Sequence, residues 1–448
     1  MEVATAMRVR MFKTRTPEYE CFYPVCPIAV PFLRLVMPPP HVCVSRMFCH
    51  VNLIQLAIFF PIWGCGSVGC RSSPRGSHPY GEPSLQIATI LVDSIQNRQM
   101  KPESAEMELI PGLPDDISLD CLARLPYTCH PTATNVSHGW KDAINGADFS
   151  SLRKRSGRTQ QLACLLQARP DSPCRKPLRP PTYGVTVFDP ARLTWERLPP
   201  VPGFPDGLPL FCRMAAAEGG KLVLMGGWDP ISWGSVRSVL VYDFAAGEWR
   251  RGKDMPAMRS FFAAAGIGGR VYVAGGHDDS KNALRTAAVY DVGRDEWGEM
   301  PEMEEERDEC EGVAIGGEFW VVSGYATERQ GKFGSSAEVF ESSRGEWRRI
   351  EGAWEGGIGE CPRGCCACAG VNGRGRVVWL GEESAVRVGP CAVGLGERIL
   401  LTGTVCPGAP HGFYMVRAWA GQNDRVLERL DVPEGFGGFV QSGCCVQI

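Results

Sequence analysis

A chain of 448 residues, 44% hydrophobic and 22% charged, has the composition of a soluble globular protein and room for two or three domains or one large closed β structure. Its net charge of −3, from 47 basic and 50 acidic residues with no basic run, lacks the electrostatic footprint of a nucleic-acid binder. The 53 glycines fit a fold with many turns, and the 20 cysteines raise three alternatives: a disulfide framework, a zinc site or a reduced protein.

Residues 1–106 read as a disordered or spurious N-terminal extension, mixing Pro, Cys and Arg with short apolar pieces and keeping no sustained period of 2 or 3.6. The apolar run VNLIQLAIFFPIWGCGSV (51–68) lies at the lower edge of a bilayer span, and Asn52, Gln55 and Pro61 interrupt it. It also begins too far into the chain for a secretory signal peptide. No membrane partner is expected, and a start at Met107 would account for the change of text there. Among the cysteines, Cys361, Cys365, Cys366 and Cys368 cluster most densely but lack the paired C-x2-C spacing of a zinc ribbon. Buried reduced thiols are the reading taken, which suits cytoplasm or nucleus and requires neither metal nor other cofactor.

From Met107 the text is MELIPGLPDDISLDCLARLP, in which Pro114 opens a helix and Asp115 and Asp116 sit at the positive end of its dipole. Ile117, Cys121 and Leu125 fall four apart on one face, Leu119 and Leu122 lie on a neighbouring strip, and Pro126 ends the element. Val136, Trp140 and Ile144 form a second amphipathic set. Two or three short helices cannot bury both of their faces, so apolar surface remains for a partner or for the rest of the chain.

LPDDISLDCLARLP followed by Trp140 resembles the F-box, the helical motif that docks onto the Skp-type adaptor of cullin–RING ubiquitin ligases. The resemblance covers 107–152. It implies that Leu113, Pro114, Ile117, Leu122, Leu125, Val136 and Trp140 form or support an adaptor-binding surface. One stretch departs from the pattern: in TCHPTATNVSHGW, small and polar residues replace the usual Leu/Arg-rich second helix.

Beyond residue 160 the chain repeats. Trp195, Trp249, Trp297 and Trp347 stand at intervals of 54, 48 and 50, and the pairs Phe188-Asp189, Tyr242-Asp243, Tyr290-Asp291 and Phe340-Glu341 keep the same register. Strands ending in small residues (KLVLMGG, RVYVAGG, FWVVSG) precede three of these pairs, and runs of small side chains precede the strands. Four short strands at a period near fifty is the pattern of a β-propeller blade. Inner strands crowd a shared axis and so take Ala, Gly and Cys, which makes GCCACAG (364–370) the inner strand of a fifth blade. The outer Trp is expected to fill the wedge between blades and the acid to accept turn N–H groups. FVQSGCCVQI (439–448) is expected to close the ring against the first blade, removing open sheet edges. Six blades over 160–448 are predicted, with five as the alternative.

Double glycine, Tyr-Asp and Trp at these spacings resemble kelch repeats. The expected architecture is therefore mainly β: a kelch β-propeller of about six blades after a small all-α F-box module. An F-box ahead of kelch repeats is similar to the plant F-box/kelch-repeat proteins, and the opening of the F-box, WERLPPVPG and FVQSGCCVQI together bring the chain nearest the subgroup acting on phenylalanine ammonia-lyase in phenylpropanoid metabolism. Relatives in that group recognise type-B response regulators of cytokinin signalling. The resemblance implies a non-catalytic substrate receptor that brings a bound target close to a ubiquitin-charged enzyme. A propeller enzyme of the copper-oxidase or nitrile-specifier kind is the alternative, against which stand only two propeller histidines, His277 and His411, far apart in the chain.

Arg213, Arg259, Arg307 and Arg363 each lead into an innermost strand, so they are expected to ring one mouth of the channel. There they would meet an acidic target surface, or else bond the carbonyls of adjacent blades. The long loops WDPISWGSVRS, HDDSKNALRT and YATERQGKFGSS are expected to stand side by side as binding loops.

Overall fold

The computed structural model describes residues 108–169, 181–205, 207–353, 386, 388–406, 408–417 and 426–448. The N-terminal extension and the GCCACAG strand with Arg363 lie outside them, as does the Cys361–Cys368 cluster.

Four helices open the described chain: α1 (Asp115–Ala123), α2 (His130–Ala133), α3 (His138–Asn145) and α4 (Ala147–Arg155). Pro114 caps α1 with two acidic residues in the first turn, and Ser137 caps α3 by accepting the Trp140 N–H. The segment lacking long apolar side chains forms a 3-10 turn, Tyr127–Cys129, followed by the four-residue α2.

The remainder is sheet. Blade A contains β1 (Gln161–Ala168), β2 (Tyr183–Asp189) and β3 (Thr194–Arg197). Blade B contains β4 (Arg213–Ala217), β5 (Lys221–Met225), β6 (Val239–Asp243) and β7 (Glu248–Gly252). Blade C contains β8 (Ala263–Ile267), β9 (Arg270–Ala274), β10 (Ala287–Asp291) and β11 (Glu296–Glu299), and blade D contains β12 (Glu311–Ile315), β13 (Glu318–Val322), β14 (Ala337–Glu341) and β15 (Glu346–Ile350). Blade E contains β16 (Val388–Leu395), β17 (Arg398–Thr404), β18 (Gly412–Arg417) and β19 (Glu428–Arg429). Finally β20 (Val440–Gln447) pairs antiparallel with β1, Gln161 opposite Gln447, and supplies the fourth and innermost strand of blade A. The expected closure of the ring by the C-terminal segment is thus seen. Five four-stranded sheets, rather than the predicted six, are present among the described residues, and the segment assigned to a further blade falls at 354–385.

Small residues sit where the axis demands them. A Cβ on Gly266 of β8 would meet the Ala216 carbonyl oxygen of β4 at 1.6 Å, and one on Gly312 of β12 would meet the Ala264 nitrogen at 2.4 Å. These neighbours are backbone and cannot swing away. Gly266→Ala is therefore expected to cost about 1–3 kcal/mol through overpacking, while Gly269→Ala, with nothing within 4 Å, stays within about 0.5 kcal/mol. Urea midpoints of the two variants compare them directly.

The repeated aromatics lock blade to blade. Trp249, Trp297 and Trp347 lie directly opposite Tyr242, Tyr290 and Phe340, with ring centroids 4.9, 5.0 and 5.3 Å apart. Each indole donates its N–H to a carbonyl trailing the preceding blade: Pro199 at 2.9 Å, Lys253 at 2.8 Å and Pro301 at 2.7 Å. Asp189 and Asp243 accept from Ala191 and Ala245 two residues on, each at 2.9 Å, as turn-closing acids do.

Candidate functional site

The helices are seated on the propeller. Tyr127 donates to Glu196 of β3 at 3.2 Å and packs edge-on to Phe244 at 5.9 Å. Pro131 abuts Gly247, whose φ of 73° and lack of Cβ permit the approach, and Thr134 donates to the Ala245 carbonyl at 3.4 Å. Arg153, 2% exposed, donates to the Ala123 and Leu125 carbonyls at 2.7 Å each and to the main-chain oxygen of Ile448 at 3.2 Å. One guanidinium thereby ties α1 to α4 and both to the ring closure. Burial, with Arg153 beside it, pushes His130 down to about 4, so its imidazole sits neutral in the seam. The polar stretch that departs from the F-box pattern is thus spent on the propeller.

This seating decides which apolar residues remain outside. Leu122 is 2% exposed and forms the small core of the helices with Ile144 and Phe149, while Leu125 and Trp140 are half-buried against it. Leu113, Ile117 and Val136 are 36%, 47% and 45% exposed, and Pro114 and Cys121 are exposed with them. Trp140 donates to the Leu109 carbonyl at 2.7 Å, which holds the start of α3 beside the start of α1. Of the seven residues predicted for adaptor docking, Leu113, Pro114, Ile117 and Val136 therefore lie on the surface. Leu122, Leu125 and Trp140 support them from within.

The helices touch the blade turns at 244–247. In an antiparallel blade the connections between second and third strands emerge at the opposite end, and these are the long loops at 226–238, 275–286 and 323–336. Trp228, His277 and Tyr325 begin them, each bridged to the chain entering the innermost strand at Leu210, Ser260 and Asp308. Around them the mouth is aromatic: Phe211 stacks on Phe261 at 4.6 Å, Phe261 on His277 at 5.4 Å, and Trp228 stands edge-on to both phenylalanines. His277 Nδ1 bonds Asp308 at 2.8 Å, and the Lys281 ammonium lies 3.2 Å from His277 Nε2 and 3.8 Å above the Trp228 ring. Burial pushes Lys281 down to about 8, with Asp308, Asp279 and Asp278 opposing. Asp229 accepts from Ile231 and Ser232 and so fixes a loop that holds Ile231 and Trp233 out in solvent.

The expected ring of four equivalent guanidiniums does not form among the described residues. Arg259 and Arg307 are 3% and 2% exposed and act as clips inside the next blade. Arg259 donates to Gly275 and Thr286 carbonyls at 3.0 Å each, and Arg307 to Ser323 and Ser336 carbonyls at 2.8 and 3.1 Å. Arg213 belongs to another register. The positive-φ residues Phe211, Phe261 and Glu309 mark equivalent positions, and relative to them Arg213 stands with Ala263 and Glu311, four places beyond Arg259 and Arg307. It points across the channel to Glu311 at 3.1 Å and the Cys310 carbonyl at 3.1 Å. Burial, the largest single influence, would lower its guanidinium, but Glu311 together with Cys310 and Cys391 holds it above its ordinary value. Sequence reasoning missed the Trp228–His277–Lys281 cluster, although the signal was present: GGW, GGH and SGY place an aromatic or imidazole ring after the tight turn of three successive repeats.

Among the described residues no group of three or more His, Cys, Asp or Glu is placed to hold a metal ion, and no helix is long and apolar enough to cross a membrane.

Comparison with known proteins agrees with this architecture. The Kelch motif matches residues 215–256 and 258–304, the heart of blades B and C. F-box/kelch-repeat protein At1g80440 of Arabidopsis thaliana is 44% identical over 244 residues, covering 54% of this chain and 69% of that protein. F-box/kelch-repeat protein SKIP20 of the same plant is 40% identical over 294 residues, covering 57% and 69% respectively. F-box/kelch-repeat protein At1g15670, also of Arabidopsis thaliana, is 36% identical over 367 residues, covering 76% of this chain and all of that protein. With a relative matched along its entire length and the repeats folded as blades, this chain belongs to the plant F-box/kelch-repeat family.

Proposed function

We propose that this protein is the target-recognition subunit of an SCF-type (Skp–cullin–F-box) ubiquitin ligase, a receptor rather than a catalyst. The observation that carries the reading is an apolar patch left in solvent on a helical module whose opposite side is fastened to the propeller. Leu113, Pro114, Ile117 and Val136 would take a Skp-type adaptor, and the cullin core would follow through it. The loop mouth, at the other end of the blades, would hold a target protein. Fastening matters: a rigid link between the two ends keeps target lysines at high effective concentration near the charged enzyme.

For the target we propose phenylalanine ammonia-lyase, on the similarity of WERLPPVPG and FVQSGCCVQI to the subgroup acting on it. A cytoplasmic and nuclear setting goes with this, supported by buried cysteines such as Cys164, Cys212 and Cys310 that stay as thiols. Affinity purification of the full chain from plant cells with the proteasome inhibited is the test. Recovery of the adaptor together with ubiquitinated ammonia-lyase is expected; recovery of the adaptor with a different modified protein would replace the target and keep the ligase.

A further inference from the structure

The loop mouth contains two hydrogen-bond donors that the fold leaves unspent. Lys281 rests its ammonium on the Trp228 ring and donates to His277 Nε2, yet it makes no ion pair among the described residues. Two of the acids that act on it at longer range are engaged elsewhere: Asp308 accepts from His277 Nδ1 at 2.8 Å, and Asp278 accepts from the Asn282 main-chain and side-chain nitrogens at 2.9 and 3.0 Å. Beneath the ammonium, Trp228 is 7% exposed and its indole N–H is buried without an acceptor. The repeat tryptophans Trp249, Trp297 and Trp347, by contrast, each find a carbonyl.

A half-buried cation with no carboxylate in direct contact and a buried N–H without an acceptor cost free energy in the unliganded protein, and both are relieved by one kind of group. A carboxylate supplies both a counter-charge for an ammonium and acceptor oxygens for an N–H. His277 prepares the place: its Nδ1–H donates to Asp308, so its Nε2 faces Lys281 as an acceptor and fixes the direction of the ammonium. Phe211 and Phe261 supply apolar walls that exclude water and strengthen a charge-assisted bond.

We propose that Trp228, His277 and Lys281 form a carboxylate-binding subsite in the propeller mouth, taking an acidic side chain or a free C-terminal carboxylate of the protein held there. The inference rests on the receptor reading and gives that site its chemistry. Exposed Ile231 and Trp233 on the neighbouring 229–235 loop offer apolar contacts to residues flanking the acid.

The test uses the full chain and a random-sequence array of twelve-residue peptides presented with free or amidated C-termini, followed by fluorescence anisotropy on the strongest binders. The subsite predicts that these binders share one carboxylate. Asp→Asn or Glu→Gln in the peptide, if a side chain is the source, or amidation, if the terminus is, should weaken binding about ten- to hundredfold. Lys281→Met keeps the aliphatic stem on the indole and should cost the same factor. Trp228→Phe keeps a ring but removes the N–H and should cost about three- to tenfold. Both variants should stay folded at the assay temperature and bind the Skp-type adaptor as the wild type does, which separates failure of the subsite from failure of the receptor reading. Binders without a common carboxylate, an array with no binders, or a Lys281→Met variant of wild-type affinity would each overturn the proposal.

Discussion

Replacing Glu338 with Ala, or Arg307 with Met, is expected to destabilise the propeller by about 3–5 kcal/mol, because either change strands a charge inside blade D. Arg307 and Glu338 are 2% and 0% exposed, and their side chains meet at 2.9 Å. Glu338 also accepts from the main-chain nitrogens of Glu304 at 2.6 Å and Glu305 at 3.2 Å, and Arg307 additionally donates to the Ser336 hydroxyl at 2.9 Å. The pair therefore closes the connection between blades C and D as well as satisfying itself. The double variant Arg307→Met with Glu338→Ala should cost clearly less than the two single losses added together, since the second removal takes away a charge the first had orphaned. An exposed pair such as Arg251 with Asp254 should cost less than about 1 kcal/mol when broken. Urea unfolding of the four proteins tests the contrast; equal, small shifts for all would show that the clip is not structural.

Ile117→Asp is expected to leave folding within about 0.5 kcal/mol of wild type, because Ile117 is 47% exposed, yet to weaken adaptor binding by about a hundredfold or more. Any partner covering the Leu113–Ile117–Val136 patch would have to bury the new carboxylate without a counter-charge. Leu122→Ala, one helical turn further along α1, should do the reverse. It opens a cavity beside Ile144 and Phe149 and costs about 2–5 kcal/mol of stability in the small helical core. Calorimetric titration with the adaptor, paired with thermal unfolding, separates a contact residue from a support residue on the same helix. Loss of binding only in step with loss of stability would place the docking surface elsewhere.

The blades were legible because their physics repeats. Trp249, Trp297 and Trp347 share a partner ring and a trailing carbonyl, Asp189 and Asp243 share their turn N–H groups, and β8 and β12 share a glycine pressed against a neighbouring backbone. Four tryptophans in register therefore make the blade period readable in the sequence. Closure by β20 was legible for a related reason: the C-terminal run has strand composition and no other sheet to join. The arginines misled because residue type is a poor register mark. Arg213 looks like Arg259 and Arg307 in its local text, yet the left-handed backbone at Phe211, Phe261 and Glu309 sets the alignment, and that geometry is invisible in side-chain identity. The seat of the helical module was hidden as well. Pro131, Thr134 and Arg153 each look ordinary in sequence, and their roles come from a propeller surface brought to them from more than a hundred residues away.

The most direct test of a handle joined to a target-holding ring is size-exclusion chromatography of the purified full chain with a Skp-type adaptor, at micromolar concentrations, in wild-type and Ile117→Asp forms. A single one-to-one complex for the wild type and two separate peaks for the variant are expected. Separate peaks for the wild type, or a complex that Ile117→Asp leaves intact, would contradict the account.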